Sequence, residues 1–159
     1  MKVFISHQRA DSTIAAEIAN RLKTAHQIDS YLDVVDAVIL RDADDLADHL
    51  RTEMGKCTNL IAVVSPATAT SWWVPWEIGM ATEKDHPLAT FARASSALPS
   101  YLKKWPYLTS MTDVDAYARQ SLVTSARRVV MESRGAETAS LRGTTSEFYR
   151  ALRKELNQL

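Results

Sequence analysis

The chain has 159 residues and carries 19 Lys and Arg against 19 Asp and Glu, so it is formally neutral at pH 7. That length is about one ordinary domain and buries roughly two thirds of its unfolded surface, so no metal or disulfide staple is required. Neutrality argues against a nucleic-acid binder held by phosphate contacts, which needs a basic excess, and it leaves self-association open.

A single cysteine, Cys57, cannot close an internal disulfide, and the four histidines (His7, His26, His49, His86) are scattered. No Cys/His cluster has metal-ligand spacing, so no metal is expected and a reducing compartment fits. No run approaches the roughly 18 apolar residues of a membrane helix. The start of the chain reads as a strand rather than a signal peptide. A cytoplasmic protein without membrane contact is the expectation.

In chain order, "KVFIS" is a short β-branched and aromatic run, hence a buried strand. "ADSTIAAEIANRLKTAHQ" places Ile14, Ile18, Leu22 and Ala25 at helical spacing, with Asp11 or Ser12 as the cap. "IDSYLDVVDAVI" is strand-like through Tyr31, Val34 and Val35. "DADDLADHLRTEMGKC" sets Leu46, Leu50 and Met54 on one helical stripe. "NLIAVVSP" is a continuous apolar run, as in a strand covered on both faces. A helix from Pro75 to about Asp85 follows, then a strand "PLATFA", a short helix "LPSYLKKW" and a weak strand "YLTSM". Two last helices, "DVDAYARQSLVTSARRVVMES" and "SEFYRALRKELNQL", flank "RGAETASLRGTTS", whose Gly, Ser and Thr suggest a flexible loop.

Alternating strands and helices predict an α/β domain: a five-stranded parallel sheet with helices on both faces, flavodoxin-like. In such sheets ligands bind beyond the carboxyl ends of the strands, at the switch point. This rule selects the loop after the first strand, Ser6 to Ser12, and the segment after the third, Thr70 to Glu77. The two are expected to share one crevice.

The second of these holds three tryptophans in five positions, Trp72, Trp73 and Trp76, followed by Glu77. Proline suits the first helical position and displaces the residue before it, Val74, from the helix. A helix starting at Pro75 puts Glu77 in its first turn, where free N–H groups and the dipole favour an ionised carboxylate. Two uses stay open. Glu77 is ordinary helix-start chemistry with the indoles in the core, or it is a working carboxylate walled by rings that favour flat and cationic groups.

Other candidates stand on less. His7 and Arg9 are polar groups in the first loop, solvated or binding. Asp11 reads as a helix cap before a ligand contact. "RDADD" at 41–45 lacks the spacing and glycine of a calcium loop. Ser6 has no evident general base and no flanking glycine of a nucleophile elbow. With four glycines in the chain, there is no Walker loop and no GxGxxG phosphate cradle.

"VFISHQRADS" resembles the first-strand box of TIR (Toll/interleukin-1 receptor) domains. "LIAVVSPATATSWWVPWEIGMA" resembles their third strand and the Ser, Trp-Val-x-x-Glu-Ile pattern after it, here Ser71, Trp73, Val74, Glu77 and Ile78. The resemblance runs over roughly residues 1–135 and implies one TIR domain over 1–159, with residues from about 136 to 159 as a helical extension. In enzymatic members the glutamate of this pattern cleaves NAD⁺. The resemblance therefore implies Glu77 as catalytic, Trp73 beside it, and Phe4, Ser6, His7, Arg9 and Asp11 in the part that holds the dinucleotide. NAD⁺ is then the substrate, and no cofactor is implied.

The segment "DAVILRDADD" lacks the Arg-x-x-x-Pro-Gly sequence of many receptor and adaptor members, which weakens an adaptor reading. The chain looks most like stand-alone bacterial TIR proteins of anti-phage defence, including the signal-producing component of Thoeris systems. That likeness implies self-association and a cyclic ADP-ribose-type signal, or ADP-ribose, reaching a separate effector. Two rival readings remain: a non-catalytic TIR scaffold, and an enzyme like the nucleoside 2-deoxyribosyltransferases, whose glutamate segment "WEIGMA" resembles.

Overall fold

The computed structural model describes residues 1–32, 43–92, 100–135 and 138–158. Five parallel strands form one sheet: β1 (Lys2–Ser6), β2 (Asp29–Leu32), β3 (Asn59–Val63), β4 (Leu88–Phe91) and β5 (Tyr107–Leu108), in the order β2-β1-β3-β4-β5. The chain steps from β1 outward to β2 and then back across β1 to β3. The topological switch therefore lies between β1 and β3, whose register pairs Ser6 with Ala62.

Side chains alternate across a strand, so each strand feeds two cores. Val3 and Ile5 join Ile61, Val63, Ala89 and Phe91 on one face. Helices α1 (Ser12–His26), α4 (Met111–Ser133) and α5 (Thr138–Glu155) cover them with Ile18, Leu22, Tyr117, Phe148 and Leu152. Phe4 joins Leu60, Ala62 and Leu88 on the other face. There α2 (Ala43–Gly55) supplies the predicted Leu46, Leu50 and Met54, and α3 (Trp73–Glu83) supplies Val74, Ile78 and Ala81. Ser6, two residues from Phe4, points toward the α2/α3 face by the same alternation.

Several expectations need correcting. Helix α3 starts at Trp73, not Pro75, and Val74 is inside it. The first four N–H groups of a helix have no intrahelical acceptor, so proline at the third position removes no bond. The Val74 N–H, also among those four, instead donates to Ser71 Oγ at 3.2 Å. Glu77 is thus the fifth helical residue, outside the first turn, and the dipole argument for it does not hold.

The expected loop over 134–146 is mostly helix, because α5 begins at Thr138. Its threonines are tied down: Thr144 Oγ1 donates to the Leu141 carbonyl at 2.6 Å, and Thr145 Oγ1 donates to Asp85 Oδ2 at 3.0 Å. Ala25, placed on the buried stripe of α1, is exposed. The expectations for Val34, Val35, Arg41 and Asp42 lie outside the described residues, as do the side chains at 43–45.

Helix α5 is fastened along its length. Arg128 on α4 donates to Asp85 Oδ2 at 2.8 Å and to Thr144 Oγ1 at 2.7 Å. Arg153 donates to the Lys103 and Lys104 carbonyls at 2.9 and 2.8 Å. Gln158 Oε1 accepts from the N–H of Tyr107, on the edge strand β5, at 3.1 Å. Unpaired edge groups are templates for misassociation, and this side-chain amide occupies one.

Candidate active site

Glu77 sits within the buried stripe of α3, where Val74, Glu77, Ile78 and Ala81 fall at i, i+3, i+4 and i+7. It has 0% exposure, as has Ser6. The hydroxyl of Ser6 donates to Glu77 Oε2. This bond joins the carboxyl end of β1 to the helix after β3, across the switch point. Burying a carboxylate is costly without such donors, so a glutamate on a core stripe has to be held by a polar partner. Ser6 therefore does have an acidic partner, contrary to the sequence expectation, and the donor direction makes it an orienting group for the carboxylate.

A second bond joins the same two loops. Ser65 Oγ, just after β3, donates to Asp11 Oδ2 at 2.8 Å. Asp11 lies at the N-terminus of α1 but makes no side-chain capping bond, so its expected role as cap is replaced by this cross-loop tie. Ser12 Oγ donates to the Arg9 carbonyl at 2.8 Å, which ties the turn before α1 and leaves the free N–H groups of the helix uncapped by either side chain. Ser65 itself caps the turn Pro66–Thr70, accepting from the Ala67 N–H at 3.2 Å.

The other candidates separate. His7 is buried, 5% exposed, and its Nδ1–H donates to the Ile5 carbonyl at 3.1 Å, which leaves Nε2 as the nitrogen for other contacts. Arg9 is exposed at the loop tip. Phe4 is fully buried, its ring 5.2 Å from that of Tyr31. Trp73 is half-buried and meets Trp76 edge to face at 5.6 Å between centroids. Trp72 is 90% exposed, so the three indoles are not one core cluster.

Ser6, Phe4 and Glu77 are thus brought together on one face, with Asp11 linked beside them through Ser65, while Arg9 stands apart. Ser65 is the residue that the sequence reading missed. Its signal was the Ser-Pro pair ending the apolar run, which fixes a serine hydroxyl at the carboxyl end of the strand next to β1.

Elsewhere, the Cys57 thiol is buried and desolvation pushes its pKa up to about 11, so it is a packed residue rather than a nucleophile. Among the described residues, no group of three His, Cys, Asp or Glu is placed to hold a metal, and no helix is long and apolar enough to cross a membrane.

A doubly wound sheet with a carboxylate held at its switch point defines a class of site, and the comparisons place the chain within a family. The TIR domain family model matches residues 3–122. The chain belongs to the TIR domain family, whose members often cleave NAD⁺. Among solved structures, the TIR domains of the activated Roq1 resistosome, which directly recognises the pathogen effector XopQ, are similar. The TM-score is 0.47 at 14% identity, covering 98% of this chain and 97% of that one. No curated protein matches the chain. The family match ends before α5, so the helix fastened over β5 lies outside it.

Proposed function

We propose that this chain cleaves the nicotinamide–ribose bond of NAD⁺, with Glu77 as the working carboxylate. The observation that carries the reading is the Ser6–Glu77 bond at the switch point, in a chain of the TIR family.

Nicotinamide leaves a cationic precursor as a neutral molecule, so its departure needs no general acid. A single carboxylate beside the ribose can bind its hydroxyls and stabilise the oxocarbenium charge that develops. Ser6, donating to Oε2, fixes the plane of the carboxyl group. Water attacking the cation gives ADP-ribose, and the proton it loses passes to solvent. A nitrogen of the adenine or a ribose hydroxyl of the same molecule gives a cyclic product. A dry site favours the internal attack, because it excludes water and positions the adenine.

Glu77 has no exposed surface. NAD⁺ reaches it only after the side chains covering it shift, so the resting chain is slow and an activating event opens the crevice. We assign the cyclic or linear ADP-ribose product a signalling role in anti-phage defence, acting on a separate effector protein.

The same burial favours one other reading: Glu77 as a purely structural group in a TIR scaffold that works by association. Chromatography and mass spectrometry of NAD⁺ incubations, over a range of protein concentrations, separate the two. The enzyme reading expects nicotinamide in equal amount to ADP-ribose plus cyclic product. The scaffold reading expects intact NAD⁺ at every concentration.

A further inference from the structure

The sheet-facing stripe of α4 changes character along its length. Its first half is largely apolar, with Val114, Tyr117 and Ala118 buried. One turn on, the same stripe reads Ser121, Thr124 and Ser125, and then Arg128. Ser121 is fully buried and Thr124 nearly so, where apolar side chains would cost less. Asn59, which opens the otherwise apolar strand β3, faces them and is 2% exposed.

Between these groups and Pro87, just before β4, lies a cavity of about 150 Å³. It sits at the amino ends of β3 and β4, at the far end of the sheet from Ser6 and Glu77. Asn59 and Ser121 form its buried floor, and the exposed Val129 and Glu132 mark its mouth.

The directions of the hydrogen bonds define what the cavity offers a guest. Thr58 Oγ1 donates to Asn59 Oδ1 at 2.8 Å, Asn59 Nδ2 to Ser121 Oγ at 3.1 Å, and Thr124 Oγ1 to the Gln120 carbonyl at 2.9 Å. A hydroxyl has one proton, so Thr58 and Thr124 have only lone pairs left to offer. Glu132 adds a carboxylate. A donor comes from Arg128, whose Nε and Nη2 bind Thr144, Asp85 and Thr145, which leaves Nη1. The guanidinium charge is balanced by Asp85 at 2.8 Å, so Glu132 makes the lining net negative.

We infer that this cavity binds a compact polyol: a pentose, free or as the ribosyl end of a larger molecule. Sugar hydroxyls donate to Glu132 and to the threonine oxygens and accept from Arg128 Nη1, so one guest answers both kinds of group. An anion brings no protons and meets Glu132, and an apolar fragment leaves the polar floor without partners. The volume is below the roughly 300–1,000 Å³ of pockets for drug-sized ligands, which suits one sugar ring. The inference is independent of NAD⁺ chemistry, because it uses neither Ser6 nor Glu77.

Titration of the isotope-labelled full chain with D-ribose, followed by NMR, tests it. Saturable shifts are expected at the Asn59 side-chain amide and at Ser121, Ser125 and Glu132, but not at Ser6 or Glu77, with a dissociation constant of about 1 mM for so small a ligand. Glu132→Ala removes a charged acceptor from an exposed position and is expected to weaken binding about tenfold with the melting temperature unchanged. Ser125→Leu, which fills the cavity, is expected to abolish binding.

ADP-ribose shifting the same residues more tightly than ribose, and losing that advantage in Ser125→Leu, would assign the ribosyl end of a nucleotide as the guest. Ribose alone shifting them would assign the free sugar. A cavity that holds water only, seen as no saturable shift far above the expected constant, overturns the proposal. Inorganic phosphate or acetate binding there more tightly than ribose, or ribose binding indifferent to both variants, overturns it as well.

Discussion

The two faces of the sheet are built differently. The face under α1, α4 and α5 is an apolar core sealed by ion pairs at its rim. Arg21 and His26 both hold Asp115 at 2.7–2.8 Å, Arg128 holds Asp85, and Arg119 holds Glu155. The face under α2 and α3 carries a buried carboxylate, a shallow groove and a nearly naked tryptophan. Burying a carboxylate costs stability, and the residue that does so lies on the helix led by the exposed indole, whereas the polar groups buried on the other face, such as Asn59 and Ser121, are neutral. On the proposed function, the first face holds the fold together while the second carries the working carboxylate, with stability given up there.

That contrast can be tested by removing groups from the stabilising face and asking whether only stability falls. Phe148→Ala should have the largest effect. Its ring is 1% exposed and meets Tyr117 edge to face at 5.8 Å. Truncation should cost about 3–5 kcal/mol, read as a lower denaturant midpoint. Activity per folded molecule should stay unchanged.

Arg128→Ala should cost about 1.5–3 kcal/mol, because it strips charged bonds from Asp85 and Thr144 where both side chains are partly covered. Thermal melts against Arg128→Lys separate loss of the guanidinium fork from loss of charge, and lysine should recover only part of the difference.

Asp115→Asn should cost about 1–2 kcal/mol, since its partner Arg21 is half in solvent. The bonds from Arg21, then from His26, hold the Asp115 carboxyl well below the ordinary carboxylate value of 3.8. Its contribution is therefore complete above that value and lost as the pH falls through the folded one. Urea melts should show a smaller acid-side slope in Asp115→Asn.

The effect at neutral pH is smallest for His86, whose contribution is felt only in acid. Burial, helped by Lys84 and Arg128, lowers its pKa from 6.5 to about 4. Between those values the unfolded chain binds the extra proton and the folded chain does not, so stability falls as pH drops from 6.5 toward 4. His86→Gln should flatten that limb of the pH–stability curve.

Much of the scaffold was legible in the sequence. The continuous apolar runs of β1 and β3 and the Leu46–Leu50–Met54 stripe each obey a single period, and the structure follows them. The errors came where a local signal was overridden by tertiary partners. Pro75 suggested a helix start, but a serine hydroxyl at Ser71 begins the helix two residues earlier. The Gly, Ser and Thr of 134–146 suggested a loop, but Arg128 and Asp85 bind its hydroxyls and the segment is helical from Thr138.

At the candidate site, the convergence of Ser6 and Glu77 at the switch point was readable from the rule for such sheets. The burial of Glu77 was also present, as a polar residue on the Val74–Ile78–Ala81 period, but the helix-cap reading concealed it. The Asp11–Ser65 tie could not be read, because it depends on how two loops approach each other in space.

The central claim is that Glu77 is a working carboxylate rather than a structural one. The direct measurement is the rate of nicotinamide release from NAD⁺ by wild type and by Glu77→Gln, at matched concentration, with the melting temperature of each recorded alongside. The amide keeps the shape and still accepts the Ser6 hydroxyl. The account predicts that release falls about 10²- to 10⁴-fold in Glu77→Gln while the melting temperature holds or rises. Equal release from both proteins, or a Glu77→Gln chain that loses its fold rather than its turnover, would contradict it.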